Sequence, residues 1–103
     1  MGRLLKVAEL KDVPSEAAMA AQVEGRTVAL FNVGGTLYAI DDTCTHHGGP
    51  LSEGEVDGKV VTCPWHGACF DLTTGEVVGP PADEDVARYE VCVEGDDVKI
   101  EIP

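Results

Sequence analysis

Short runs in which apolar and polar residues alternate, cut at intervals by glycine, fill most of this chain. A period of two turns one side of each run toward a core and the other toward water, so the pattern predicts strands. Thr27-Val28-Ala29-Leu30-Phe31-Asn32-Val33 and Thr36-Leu37-Tyr38-Ala39-Ile40 flank Gly34-Gly35, a pair that accepts the positive φ angles of a tight hairpin turn. A second hairpin is predicted where Arg88 to Val93 and Val98 to Ile102 are joined through Glu94-Gly95-Asp96-Asp97. In its first strand Tyr89, Val91 and Val93 fall on the inward side, with Arg88, Glu90 and Glu94 outward. One segment departs from the pattern: Pro14-Ser15-Glu16-Ala17-Ala18-Met19-Ala20-Ala21-Gln22-Val23 is rich in helix formers. So short a run makes a marginal helix without packing partners. A helical turn is therefore predicted near residues 10 to 16, and an extended course for the Ala-rich part.

Between Asp41 and Asp71 the character changes. Five glycines and two prolines lie there, residues suited to tight loops around a compact ligand. The predicted organisation is all-β, one domain over residues 1–103, with a loop-rich lobe at about 41–71 inserted in a β base formed by 1–40 and 72–103. Gly79-Pro80-Pro81-Ala82-Asp83-Glu84-Asp85 reads as a further loop. A chain of 103 residues buries about two thirds of the surface that it exposes when unfolded, enough for a core.

Composition narrows the function. Hydrophobic residues at 44% and charged residues at 25% suit a soluble globular domain, and no apolar run approaches the roughly 20 residues that span a bilayer. The first residues, Met-Gly-Arg-Leu-Leu-Lys, carry no secretion or lipidation pattern, so a cytoplasmic location is expected. In a reducing compartment four cysteines read as metal ligands or free thiols before disulfides. Seven basic against nineteen acidic residues give a net charge of -12. That field repels nucleic acid and anionic membranes and leaves a basic protein surface as the natural partner, unless the acidity serves solubility alone. Glu53, Glu55 and Asp57 alternate with glycine and valine, the pattern of a solvated face rather than of acid-base catalysis.

The chemistry is concentrated in Cys44-Thr45-His46 and Cys63-Pro64-Trp65-His66, separated by the 16 residues from His47 to Thr62. All three histidines of the chain fall within the 23 residues from Cys44 to His66. Two thiolates and two imidazoles suit zinc or an iron-sulfur cluster. His47 offers a rival to His46, since Cys-x-x-His is also a metal spacing. Zinc fingers usually pair Cys with Cys and His with His along the chain. Here each loop supplies one of each, which fits two irons, one held by both cysteines and one by both histidines. Cys69 and Cys92 could complete an all-cysteine set, but their intervals match neither the bacterial nor the plant-type ferredoxin spacing. Cys69 reads instead as a small buried thiol and Cys92 as a partly exposed one. Trp65 reads equally well as lobe packing or as a shield and partner contact.

The run Cys44-Thr45-His46-His47-Gly48-Gly49-Pro50-Leu51, then Gly54 and Gly58, then Cys63-Pro64-Trp65-His66-Gly67-Ala68-Cys69-Phe70-Asp71 and Thr74-Gly75, resembles the Rieske [2Fe-2S] proteins. It resembles the small bacterial Rieske-type ferredoxins of aromatic-ring-hydroxylating dioxygenase systems. The resemblance implies an antiparallel β-sandwich or barrel base carrying a cluster-binding lobe, and one [2Fe-2S] cluster per chain. Cys44 and Cys63 would bind the inner iron, His46 and His66 the outer one. His47 then becomes an exposed loop residue, and Gly79-Pro80-Pro81 resembles the proline segment that covers one side of the cluster.

The resemblance also implies a role. Such a chain is an electron carrier and not an enzyme. It takes one electron from a flavin-dependent ferredoxin reductase and passes it to a terminal oxygenase, as a monomer with no nucleic-acid or membrane partner. Neutral histidine ligands make an added electron easier to accept: Rieske potentials run from about -150 to +300 mV, against about -400 mV for plant-type ferredoxins. High-potential members carry a disulfide between the cluster loops and two hydroxyl donors, where this chain has Gly49, Trp65, Ala68 and Phe70. A hydrogen bond to a charged group is worth roughly 1.5 to 3 kcal/mol, so a potential near the low end, about -150 mV, is expected. Two other readings are a Rieske small subunit of a larger oxidoreductase, such as an assimilatory nitrite reductase, and a structural zinc domain that mediates protein contacts.

Overall fold

The computed structural model describes residues 3–43, 50–65, 67–79 and 84–102. Among them every regular element is a strand apart from two 3-10 turns. The strands are β1 Arg3–Glu9, β2 Ala18–Val23, β3 Arg26–Val33, β4 Thr36–Asp41, β5 Glu55–Asp57, β6 Val60–Thr62, β7 Cys69–Asp71, β8 Val77–Gly79, β9 Arg88–Tyr89, β10 Val91–Glu94 and β11 Asp97–Ile102. They pair antiparallel into three sheets, ordered β1-β11-β10, β2-β3-β4-β9 and β5-β6-β7-β8.

The middle sheet explains the most apolar run of the sequence. Along β3, Ala29 and Phe31 belong to a core shared with the β5–β8 sheet, whereas Val28 and Leu30 belong to a core shared with β1 and β11. A strand covered on both faces loses the alternation of a half-buried one, so Val28-Ala29-Leu30-Phe31 reads as a continuous apolar block. β4 divides in the same way, with Ile40 on the first side and Ala39 on the second. The β base and the lobe are therefore two cores back to back on one sheet.

The β3–β4 hairpin forms about Gly34-Gly35 at φ 61° and 94°, as the sequence predicts. Asn32, buried just before the turn, is satisfied: its Nδ2 donates to the Val13 carbonyl at 2.8 Å and its Oδ1 accepts from Gly35 N–H at 2.9 Å. The predicted helical turn is the 3-10 turn Leu10–Asp12, and the Ala-rich segment becomes β2, paired residue for residue with β3.

The C-terminal hairpin differs from expectation in two respects. Its first strand is broken at Glu90: Tyr89 and Arg88 pair with Ala39 and Ile40 of β4, whereas Val91 to Glu94 pair with β11. The chain passes there from the middle sheet to the outer one. Val93, expected inward, is 44% exposed, because it lies at the end of β10 next to the turn, beyond the cover of the middle sheet. Tyr89 is buried as predicted. No helix among the described residues is long and apolar enough to cross a membrane.

Candidate metal centre

The second cysteine-histidine loop is the tip of a hairpin. β6 and β7 pair Val60 with Asp71, Val61 with Phe70 and Thr62 with Cys69. Beyond that last rung, Cys63 N–H donates to the Ala68 carbonyl at 2.7 Å and Gly67 N–H to the Cys63 carbonyl at 3.1 Å. Between these two bonds the chain turns at Gly67, whose left-handed φ of 79° suits glycine. Cys63 is 3% exposed and packs with Ala68, Phe70, Val61 and Leu51, all fully buried. Its thiol is free, with no hydrogen-bond partner among the described residues. Cysteine sulfur binds a metal as the thiolate, and the metal takes the place of the thiol's proton. The donor chemistry therefore fits a metal ligand. Trp65, two residues on, is 56% exposed, which removes the lobe-packing reading and leaves its ring at the surface.

The first loop is closed differently. A lone antiparallel bridge joins Thr43 to Pro50 and brings together the two ends of the segment that contains Cys44 and His46. Asp42, at the root, is 7% exposed. Its N–H donates to the Thr27 carbonyl at 3.0 Å, its own carbonyl accepts from Leu51 N–H at 2.6 Å, and its Oδ1 accepts from Ser52 N–H at 2.7 Å. Asp41 is braced beside it: the Tyr89 hydroxyl donates to Asp41 Oδ1 at 2.5 Å, and the Arg26 guanidinium donates to the same hydroxyl at 3.1 Å and lies over the ring. Burial, reinforced by the Asp41 carboxylate, raises the Tyr89 phenol above its ordinary 10.0, with Arg26 opposing.

The two loops share one foundation. The second 3-10 turn, Leu51–Glu53, follows the first loop and drops Leu51 into the core that holds Cys63. Gly54 comes next, so close to the strand entering the second loop that a Cβ there would stand 2.1 Å from the Thr62 carbonyl oxygen. Only glycine allows that approach, which clamps the return of the first loop against the entry of the second. Of the four predicted ligands the structure describes Cys63 alone. Cys44, His46 and His66 lie outside the described residues, as do His47, Pro80 and Pro81. Gly79, where the proline segment starts, pairs with Cys69 at the root of the second loop.

Other candidates fall away. Cys69, expected to be buried, is half-buried, with its Sγ 3.4 Å from Thr62 Oγ1 and donating to the Gly67 carbonyl at 3.4 Å. Cys92 is partly exposed on β10, in a different sheet. Glu53, Glu55 and Asp57 are exposed, as predicted. No group of three or more His, Cys, Asp or Glu side chains gathers among the described residues. A cavity of about 360 Å³ lies at the seam of base and lobe, lined by Glu16, Phe31, Asn32, Val33, Glu53 and Val56 among others, without an imidazole or amine to serve as a base.

Comparison with known proteins agrees with this geometry. The profile of the Rieske [2Fe-2S] domain family matches residues 3–90. The chain is 43% identical over 93 residues to the 3-phenylpropionate/cinnamic acid dioxygenase ferredoxin subunit of Escherichia coli strain K12, covering 89% of this chain and 87% of that protein. The Sphingomonas yanoikuyae B1 ferredoxin superposes with a TM-score of 0.90 at 30% identity, over 98% of this chain and 100% of that one. A chain from a complex of reduced oxygenase and oxidised ferredoxin in carbazole 1,9a-dioxygenase superposes with a TM-score of 0.86 at 35% identity, over 94% and 91% of the two chains.

Proposed function

The chain belongs to the Rieske [2Fe-2S] family, and from that premise we propose that it shuttles single electrons from a flavin-dependent ferredoxin reductase to the terminal oxygenase of an aromatic-ring dioxygenase system. It carries one [2Fe-2S] cluster and is an electron-transfer component, not itself a catalyst. Cys44 and Cys63 are the proposed ligands of one iron, His46 and His66 of the other. When bound, the cluster supplies reversible one-electron chemistry at a potential set by its ligands and surroundings. The observation that carries the proposal is the buried Cys63 thiol at a hairpin tip, without a partner among the described residues, in a chain whose relatives are dioxygenase ferredoxins.

The chain's own residues support this role in three ways. Cys63 is shut off from water by Ala68, Phe70 and Leu51. Ala68 and Phe70 are fully buried and carry no hydroxyl, which supports the proposal of a potential near the low end of the family range, about -150 mV. Acid exceeds base throughout the chain: residues 50 to 79 hold five acids against Lys59 alone, and the remaining residues fourteen acids against six cations, of which Lys6, Lys99, Arg88, Lys11 and Arg3 are paired with Asp97, Glu94, Glu90, Glu9 and Glu24. The lobe therefore projects a negative field around the exposed Trp65 ring, which speeds encounter with a basic partner without locking the complex. The proposed carrier is a cytoplasmic monomer.

The test is turnover of a purified reductase and oxygenase with this chain present in catalytic amounts, together with an anaerobic redox titration. Turnover that falls with ionic strength and a midpoint near about -150 mV are expected. A midpoint above about 0 mV contradicts the account of the potential. A need for the chain in a fixed stoichiometric complex would point to a subunit instead of a shuttle.

A further inference from the structure

The first 3-10 turn has a local cap, in which Glu9 N–H is held by Asp12 Oδ2 at 3.1 Å. The second has none. It starts after Pro50, whose side chain makes no capping bond, and the leading N–H groups of any helical turn lack partners within it. Proline has no oxygen on its side chain to offer them. The acceptors come from the other end of the loop: the Asp42 carbonyl takes Leu51 N–H, and Asp42 Oδ1 takes Ser52 N–H. Through its own N–H the same residue is bonded to Thr27 at the start of β3. Asp42 thus ties the middle sheet to the returning limb of the loop: its carbonyl supplies a backbone bond of the Thr43–Pro50 bridge, and its side chain adds the bond to Ser52, the only other hydrogen bond between the loop's ends among the described residues.

We propose that Asp42 is the positioning residue of the first cluster loop. It acts as a cap supplied across the loop and fixes how far apart the loop's ends stand, and so how the segment between them presents Cys44 and His46. This rests on the reading that those two residues are ligands. What the position requires is an acceptor oxygen of this reach, the property shared by the residues favoured at helix N-caps. Asparagine would supply it and alanine would not, so the charge itself is not the device.

The test compares holoprotein of the wild type, Asp42→Ala and Asp42→Asn, with Val98→Ala in the opposite core as a control for general destabilisation. The readouts are anaerobic iron release to a chelator and the electron paramagnetic resonance g values of the reduced protein. Asp42→Ala is expected to release iron about fivefold to tenfold faster, the scale of one lost hydrogen bond, with shifted g values. Asp42→Asn should stay within about twofold of wild type, and Val98→Ala should leave the g values unchanged. Equal release from wild type and Asp42→Ala, or Asp42→Asn behaving like Asp42→Ala, overturns the proposal. If Asp42→Ala does not fold, hydrogen exchange of the wild-type Ser52 amide, the one bonded to the Asp42 side chain, decides: protection comparable to the β3–β4 amides supports the cap, and exchange at the rate of free amides overturns it. Should the wild type carry no cluster, the ligand reading fails by itself, and the exchange measurement still reports on the cap.

Discussion

The two proposed ligand loops are anchored in one core but are held by different means. The second is the tip of a ladder: three rungs between β6 and β7 lead into it, and backbone bonds from Cys63 to Ala68 and from Gly67 to Cys63 close it. Its shape is set by backbone pairing that many side chains can accompany. Among the described residues the first has one bridge at its neck, with the backbone bond from Leu51 N–H to the Asp42 carbonyl, and one side-chain bond, from Ser52 N–H to Asp42 Oδ1. A site built from one loop closed by backbone pairing and one whose neck also uses a side chain is more exposed to single substitutions at the second.

The strongest perturbation of this contrast is at the proposed ligand of the second loop. Cys63→Ala is expected to leave the protein folded but without iron, as measured by metal analysis and loss of the visible chromophore, because the backbone bonds that shape the loop do not involve the side chain. Retention of a full complement of iron would show that Cys63 is not a ligand.

Next is the shared foundation. Leu51→Ala removes a fully buried side chain between the loops and should lower stability by about 3 kcal/mol. It should also speed iron release, since the second turn would lose its anchor. Ile100→Val, in the core on the far side of the middle sheet, should cost about 1 kcal/mol with no change in iron release. If the two variants lost iron in proportion to their denaturation midpoints alone, the division into two cores would have no functional meaning.

The smallest effect tests the brace behind Asp42. Tyr89→Phe loses the bonds to Asp41 and Arg26 and should cost about 1 kcal/mol at neutral pH. The folded protein holds the Tyr89 proton more tightly than the unfolded chain, since its phenol is raised above 10.0. Raising the pH past that value therefore favours unfolding: the contribution is complete below about pH 10 and is lost as the pH climbs through the higher folded value. Denaturant titrations from neutral to strongly alkaline pH should show that wild-type stability falls toward that of Tyr89→Phe. Parallel curves would remove Tyr89 from the account.

Much of this was legible in the chain itself. Gly34-Gly35 between two β-rich runs specifies the hairpin, because few other pairs accept two positive φ angles in succession. The marginal helix signal of the Ala-rich segment yields to pairing with β3, which buries Ala21 and Val23. Cysteine and histidine spacing pointed to a candidate site without any knowledge of the fold, and of its four residues the structure describes Cys63. The parts that were hidden arise from tertiary context. The break at Glu90 follows from the strand's being shared between two sheets, a property that alternation within one strand does not encode. Val93 has the spacing of an inward residue but lies past the edge of what covers it. Asp42 stood in the sequence as one more acid beside a loop. Its signal was indirect: a turn that starts at proline lacks a local cap, and the nearest acid across the loop is the residue that replaces it.

The central claim is that two cysteines and two histidines, Cys44, Cys63, His46 and His66, hold a [2Fe-2S] cluster. Pulsed electron paramagnetic resonance of the anaerobically reduced protein tests it most directly. The account predicts a paramagnetic signal coupled to two imidazole nitrogens, one of them lost with His46→Cys and the other with His66→Cys. A cluster signal with no nitrogen coupling, or a protein that holds zinc and gives no signal on reduction, would contradict it.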